Sequence, residues 1–184
     1  MGIINGWPGR IWIDQILNLE VPHNYYVLEF FRLLTHLGSP MTFVALSLVG
    51  VIVLWLMRRY IYAIYLLIVV LSSWTINDLL KIYFVRARPP GEALTIATGY
   101  SFPSGHAMVA IAFYGFLAYL AFTQGGKRGK LAAGGLAFLI FLIGLSRVYL
   151  NVHYPSDVLG GWLFGFLILL ISIYSMKRTT RSFY

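Results

Sequence analysis

IYAIYLLIVVLSSWTINDLLKIYF, residues 61–84, decides the fold. The run is 24 residues long and holds two charges, Asp78 and Lys81, both in its last seven positions. Crossing about 30 Å of hydrocarbon at 1.5 Å per residue takes about 20 mostly apolar residues, so this stretch predicts a transmembrane helix. Four more runs qualify: 41–57 (17 residues, the shortest), 105–123 (19), 131–150 (20) and 157–176 (20). The whole chain agrees, with 59% hydrophobic and 11% charged residues among 184 and a mean hydropathy of +0.77. An ordinary soluble domain carries about a quarter charged residues. This composition excludes a soluble globule, a disordered chain and a nucleic-acid-binding module, so nucleic acid is no partner. With no cysteine there is neither a disulfide framework nor thiolate chemistry, and the redox compartment stays open.

The first 40 residues read differently. Asp14, Glu20, Glu29 and Arg32 interrupt the apolar stretches, and Pro8 and Pro22 break them. This region is expected to form amphipathic, interfacial or short helices packed on the bundle, with Tyr25–His36 as a shortened sixth core helix whose Glu29 and Arg32 can pair. No basic region followed by an apolar one and a small-residue cleavage site marks a signal peptide. Gly6 stands where a myristoylation signal after Gly2 wants Ser or Thr. No internal repeat, low-complexity tract or linker divides the chain. The expectation is one all-α, polytopic membrane helix bundle over residues 1–184, with N-terminal helices in 1–40, a transmembrane core in 41–176 and a basic cytoplasmic tail in 177–184.

Orientation follows from the +8 net charge once its positions are read. Arg58 and Arg59 follow the first strong run, Lys127, Arg128 and Lys130 sit in the loop after the third, and Lys177, Arg178 and Arg181 lie in the tail. Alternating helix direction puts these 8 of the 14 basic residues on one side, the cytoplasmic one by the positive-inside rule. Residues 85–104 and 151–156 then face the extracytoplasmic side. These segments and their flanks nevertheless hold Lys81, Arg86, Arg88 and Arg147. Basic residues placed against the topological preference call for a chemical reason.

That reason lies in three pieces at the same face. Lys81 and Arg88 stand at the outer end of a helix stopped by Pro89 and Pro90; Pro103-Ser104-Gly105-His106 opens the next helix; and Ser146-Arg147, five residues, His153, three residues and Asp157 straddle the last connection. Three cations, two histidines and a carboxylate suit a phosphate group. Arg88 and Arg147 offer planar forks for phosphate oxygens, and Lys81 a compact point charge. Ser104 and Gly105 stand where a helix starts, so N–H groups and the positive dipole end would face an anion, with the Ser104 hydroxyl as a further donor. Asp157, four residues after His153, can orient one ring nitrogen and leave the other free to attack phosphorus. His106, on another helix, is placed to protonate the leaving oxygen.

Taken in order, Lys81-x6-Arg88-Pro89, Pro103-Ser104-Gly105-His106 and Ser146-Arg147-x5-His153-x3-Asp157 resemble the three-part signature of the type 2 phosphatidic acid phosphatase (PAP2) superfamily, and every signature position is matched. The resemblance covers residues 41–176. It implies a phosphatase that uses no metal and no other cofactor, forming a phosphohistidine on His153 with His106 as acid and then base. It also implies a lipid phosphate substrate drawn from the bilayer. An extracytoplasmic site and small size put undecaprenyl pyrophosphate first, with phosphatidylglycerophosphate or phosphatidic acid next; the oligomeric state is not legible. The departure is at the N-terminus, where the usual first of six core helices is short and charged.

Blander readings exist for single residues. Lys81 alone reads as a snorkelling helix-end cation and Asp157 alone as a first-turn acid, but Pro-Ser-Gly-His arises by chance roughly once in a thousand chains of this length, and the set together does not reduce to packing. A channel or transporter needs neither two histidines nor their carboxylate. No paired broken helices or repeated halves appear in the sequence. A haloperoxidase using the same cage around vanadate is disfavoured by the membrane character, and a catalytically dead lipid-binding relative by the presence of both histidines. Asp78 is read as an ion-pair partner of Lys81 or as a charge that tunes it, Arg86 as a structural cation or a contact to a second phosphate or to lipid headgroups, and His23 and His36 as interfacial. Tyr100, Tyr149 and Tyr154 are read as an aromatic belt, and Gly134, Gly135, Gly144, Gly160, Gly161 and Gly165 as positions of close helix packing.

Overall fold

The structure, a computed structural model, describes residues 11–16 and 24–182. The readings of Gly2, Gly6, Pro8, Glu20, Pro22 and His23 lie outside the described residues. Among the described residues seven helices follow in order: α1 (Trp12–Ile16), α2 (Tyr25–His36), α3 (Pro40–Leu56), α4 (Tyr60–Phe84), α5 (Gly105–Gln124), α6 (Gly126–Tyr149) and α7 (Pro155–Ser182). The helices α4 to α7 are each long and apolar enough to cross a membrane. The run at 41–57 does not stand alone. Helix α3 passes the same test only together with α2, from which it departs by a 48° bend. Ser39 accounts for the restart, because its side chain accepts from the Thr42 N–H (3.3 Å) and Pro40 takes the first helical position, where no intrahelical N–H bond is needed. The expected Glu29–Arg32 pair forms on α2 at 2.8 Å.

Two boundaries differ from the sequence reading. Helix α6 begins at Gly126, so Lys127, Arg128 and Lys130 belong to its first turns rather than to a loop. Only Gly125 separates α5 from α6, and a Cβ on Gly129 would lie 2.0 Å from the Ala121 carbonyl. Glycine alone allows that backbone contact. Helix α7 runs on to Ser182, so the basic tail is its last turns, with Arg178 over the Tyr174 ring. A helix needs no loop merely because its end is charged, and the cations ride on helical turns beyond the apolar run.

Helix α5 is the central member. Ala107, Met108, Val109, Ala110, Ala112, Phe113, Tyr114 and Phe116 are buried all round it, as befits a helix enclosed by others. It packs on α3, α4, α6 and α7. Lipid tails are as apolar as these side chains, so close packing rather than water exclusion selects the contacts. A Cβ on Gly161 would fall 2.7 Å from the Ser104 carbonyl and one on Gly165 2.5 Å from the Met108 carbonyl, while Gly144 faces Trp162 and Gly160 faces Phe102. Gly134 and Gly135 differ, with nothing within 4 Å of an added Cβ. These two do not serve helix packing.

The helices alternate in direction, which separates two ends. At one, Tyr65 near the start of α4 hydrogen-bonds Ser175 and Thr179 late in α7, both at 2.9 Å, and Lys177 lies over Tyr119 near the end of α5. Arg58, Arg59 and Thr180 border one cleft there. The three basic segments therefore share one end of the bundle. The signature residues occupy the other, within one turn of the ends of α4, α5, α6 and α7.

Candidate active site

Each helix end delivers one part of the site. Lys81 lies one turn before the end of α4, His106 is the second residue of α5, Arg147 the third from the end of α6, and Asp157 the third of α7. Lys81, Arg88, Gly105, His106, Arg147 and His153 line one cavity of about 510 Å³ together with Gly38, Phe43, Asn77 and Asp78. Six of the eight residues expected from sequence thus meet. Ser104 and Asp157 are fully buried behind this wall.

His153 sits in the short connection between α6 and α7, its backbone N–H donating to the Arg147 carbonyl (3.2 Å). Its Nδ1 is 3.4 Å from Asp157 Oδ2, and its Nε2 is 3.4 Å from Arg88 Nη1 on the cavity side. The Asp157 carboxylate is held on both oxygens. Oδ2 also accepts from Ser101 Oγ (2.5 Å) and the Tyr154 N–H (2.9 Å), while Oδ1 accepts from Arg86 Nη1 (2.5 Å). Burial draws the His153 imidazole down to about 4, with Arg147 and Arg88 adding to the effect and Asp157 opposing it. The ring is therefore neutral at pH 7, with one nitrogen lone pair available for attack.

The cations are held in different ways. Arg88 gives Nε to the Gly99 carbonyl (3.0 Å), Nη2 to that of Thr98 (2.6 Å) and Nη1 to that of Val152 (2.7 Å). Its fork is spent largely on backbone, so it faces the cavity as an anchored charge with one Nη1 hydrogen beside His153, not as the two-pronged ligand the sequence led one to expect. Burial lowers its affinity for the proton, Asp157 opposing. Arg147 donates through Nη1 to Thr35 Oγ1 of α2 at 2.6 Å, and its Nε has no partner among the described residues. Lys81 and Asp78 border the cavity without a direct salt bridge, Asp78 acting on Lys81 as a nearby charge.

The opening turn of α5 also departs from expectation. The Ser104 N–H donates to the Asp157 carbonyl (2.9 Å), which removes it as a phosphate donor, and its hydroxyl is buried without a partner among the described residues. Gly105 packs closely on α4, since a Cβ there would stand 3.0 Å from Asn77 Oδ1 on the cavity wall. Asn77 Nδ2 in turn donates to the Pro103 carbonyl (3.2 Å), tying the loop before α5 to α4. His106 packs against the α2–α3 break, its Cδ2 lying 2.9 Å from where a Gly38 Cβ would be.

Arg86 takes no part in the cavity. It is fully buried, pairing with Asp157 (2.5 Å) and Asp14 (2.6 Å), donating to Ser156 Oγ (2.7 Å) and lying 4.3 Å from the centre of the Tyr154 ring. That overturns its reading as a contact for a second phosphate. Tyr154 and Tyr149 are likewise buried, the latter against Phe31 of α2, and only Tyr100 has the exposure of a belt residue. His36 ends α2, exposed. Sequence reasoning missed Asp14, Thr35, Asn77 and Ser101, none of which belongs to a motif. The one available signal was that an acid in an apolar segment must meet a cation when buried.

Residues 59–181 match the PAP2 superfamily. The chain belongs to the PAP2 superfamily. It is 32% identical over 143 residues to phosphatidylglycerophosphatase B of Bacillus subtilis, covering 75% of this chain and 70% of that protein. An undecaprenyl-diphosphatase of Sulfolobus acidocaldarius is 36% identical over 81 residues, 41% of this chain and 34% of that one. The crystal structure of a transmembrane PAP2 type phosphatidylglycerolphosphate phosphatase from Bacillus subtilis superposes with a TM-score of 0.81 at 27% identity, covering 90% of this chain and 83% of that one. This PAP2 chain is an enzyme, a hydrolase of the membrane phosphatase type.

Proposed function

We propose that this PAP2 phosphatase hydrolyses a lipid phosphate monoester at the extracytoplasmic membrane face through a phosphohistidine on His153. The observation that carries the reading is the single cavity onto which Lys81, Arg88, His106, Arg147 and His153 all open. In the first step His153 Nε2 attacks phosphorus, the bond to the lipid oxygen breaks, and His106 gives that oxygen its proton. General-acid help of this kind is worth roughly 10²- to 10⁴-fold. In the second, His106 takes a proton from water as the water oxygen attacks phosphorus and the P–N bond breaks, which releases phosphate and neutral His153. Asp157 holds the imidazole through Nδ1 and offsets the positive charge that develops on it. Lys81, Arg88 and Arg147 neutralise the phosphoryl oxygens, the task a metal ion performs in metallophosphatases.

On substrate, the burial of Arg86 reverses the order suggested by sequence. With that guanidinium held between Asp14 and Asp157, the cations bordering the cavity among the described residues are Lys81, Arg88 and Arg147, enough for one phosphate dianion. A monoester of the phosphatidylglycerophosphate kind therefore stands first and undecaprenyl pyrophosphate second. The name of the Bacillus subtilis relative supports the same order. The deciding experiment is phosphate release by purified protein across a panel of lipid mono- and diphosphates with EDTA present. Release from the glycerophosphate lipid at the highest kcat/KM, insensitive to EDTA and blocked by vanadate, is the expected result. Activity abolished by EDTA and restored by a divalent ion overturns the mechanism, and a preference for the diphosphate overturns the substrate.

A further inference from the structure

The nucleophile's support does not end at Asp157. Helix α4 stops with Val85 in the left-handed conformation (φ 49), a costly geometry for a β-branched residue, and the turn sends the next side chain inward. That side chain is Arg86, whose carbonyl accepts from the Ser101 N–H (2.8 Å) while Ser101 Oγ and Arg86 Nη1 grip the two oxygens of Asp157. The other arm of the guanidinium, Nη2, ends on Asp14 Oδ2. Asp14 comes from α1, outside the residues that match the superfamily, and is 1% exposed. Its second oxygen accepts from the Ser156 N–H (2.9 Å), in the first turn of α7, one residue before Asp157. Burial works to raise the Asp14 carboxyl, but hydrogen bonds from the Ser156 side chain and N–H, the Ile11 N–H and Arg86 outweigh it and hold it below its ordinary range.

We infer that Asp14 is a positioning residue for catalysis: through Arg86 and the Ser156 N–H it fixes the Asp157 carboxylate that orients His153, so the N-terminal segment completes the active site from behind. A guanidinium held between two carboxylates is fixed more tightly in direction than one held by a single carboxylate. If the arm on Asp14 is lost, Arg86 keeps only one of its two carboxylate anchors, its pull on Asp157 changes, Asp157 shifts against His153, and the ring loses its aim at phosphorus. The phosphate cage of Lys81, Arg88 and Arg147 does not pass through this chain of contacts. The inference rests on His153 being the nucleophile.

The test compares wild type, Asp14→Asn, Asp157→Asn and the double variant with nitrophenyl phosphate. For Asp14→Asn we expect kcat to fall about tenfold to a hundredfold, as for other groups that orient a reacting side chain from behind. The inhibition constant for vanadate, whose trigonal bipyramid resembles phosphorus under attack, should rise by a similar factor, while that for inorganic phosphate stays within about twofold. In the Asp157→Asn background the second substitution should cost less than about twofold, since the two act through one path. An unchanged kcat, or an equal loss in both backgrounds, overturns the inference; the latter is what a purely structural role produces. Ser156→Ala, which removes one acceptor from Arg86 and leaves every charge in place, is the milder probe if Asp14→Asn does not fold. A severalfold lower kcat at unchanged KM is expected there, and wild-type kinetics overturn the inference equally. Trapping phosphoenzyme on wild type keeps the premise separate: absence of phosphohistidine at residue 153 sinks the nucleophile assignment whatever Asp14 does.

Discussion

The proposed chemistry turns on His153 and His106, and the duties assigned to them predict different failures. His153→Ala removes the atom that bonds phosphorus, so turnover and labelled phosphoenzyme should both disappear. His106→Ala removes the proton donor for the leaving oxygen, and the loss should grow with the basicity of that oxygen. A lipid alcohol should therefore suffer most and nitrophenolate hardly at all in the first step, with phosphoenzyme accumulating because its hydrolysis has lost a base. Phosphoenzyme trapping with both substrates checks this; trapping in His153→Ala but not in His106→Ala would reverse the two roles. The pH profile belongs to the same scale. Burial first, then Arg147 and Arg88, depress His153 to about 4 against the pull of Asp157. With the neutral ring as the proposed nucleophile, kcat/KM should hold as pH falls from 7 to 5 and be lost only as pH drops through about 4. An acid limb near 6.5, the value of an unburied imidazole, would show that the ring is solvated.

Among the helices, the α5–α7 contact is the one that connects packing to chemistry. Gly161 and Gly165 let α7 lie against the α5 backbone at Ser104 and Met108, and at that crossing the Ser104 N–H donates to the Asp157 carbonyl. A side chain there pushes apart the two helices that carry His106 and Asp157. Gly165→Val is expected to cost about 1–3 kcal/mol or more from overpacking, seen as a lower thermal midpoint in detergent together with lost activity. Gly134→Ala is the control. With open space beside it, the substitution should raise the midpoint slightly, by up to about 1 kcal/mol of helix propensity, with kcat unchanged. Equal damage at both positions would contradict the packing assignment.

Over the whole molecule, charge is sorted by end. The basic residues near Arg58, Lys127 and Lys177 gather at the end opposite the cavity, and Asp14, Glu29, Asp78, Glu92 and Asp157 all lie in segments at or near the cavity end. The positive-inside rule then predicts a cytoplasmic basic end and an extracytoplasmic site. Single cysteines in this cysteine-free chain test it. Gly91 and Gly126 have positive φ and would be strained by any side chain, so exposed Ala93 and Gln124 are the better positions. An impermeant maleimide should label Ala93→Cys on intact cells and Gln124→Cys only after permeabilisation. The opposite pattern would turn the protein over and move its substrate to the inner leaflet.

Run length and motif spacing determined much of this by themselves. A 24-residue apolar run has few ways to satisfy its backbone other than as a membrane-crossing helix, and Lys81, His106, Arg147 and Asp157 fall within a turn of helix ends, so counting runs already places them together. Covalent proximity likewise sets the His153–Asp157 pair, four residues apart across the start of a helix. What only the tertiary structure decided are the contacts with no periodicity behind them. Asp14 and Arg86 are 72 residues apart, and neither is a position of the signature. Arg88 and the Ser104 N–H carry the right chemistry for phosphate, yet backbone carbonyls claim them, because a buried donor takes the nearest acceptor the fold presents. Gly134 and Gly144 look alike in a list of residues, and only the placement of α7 makes one a contact and the other a gap. Sequence specifies which groups can act; the fold decides which of them remain free to do so.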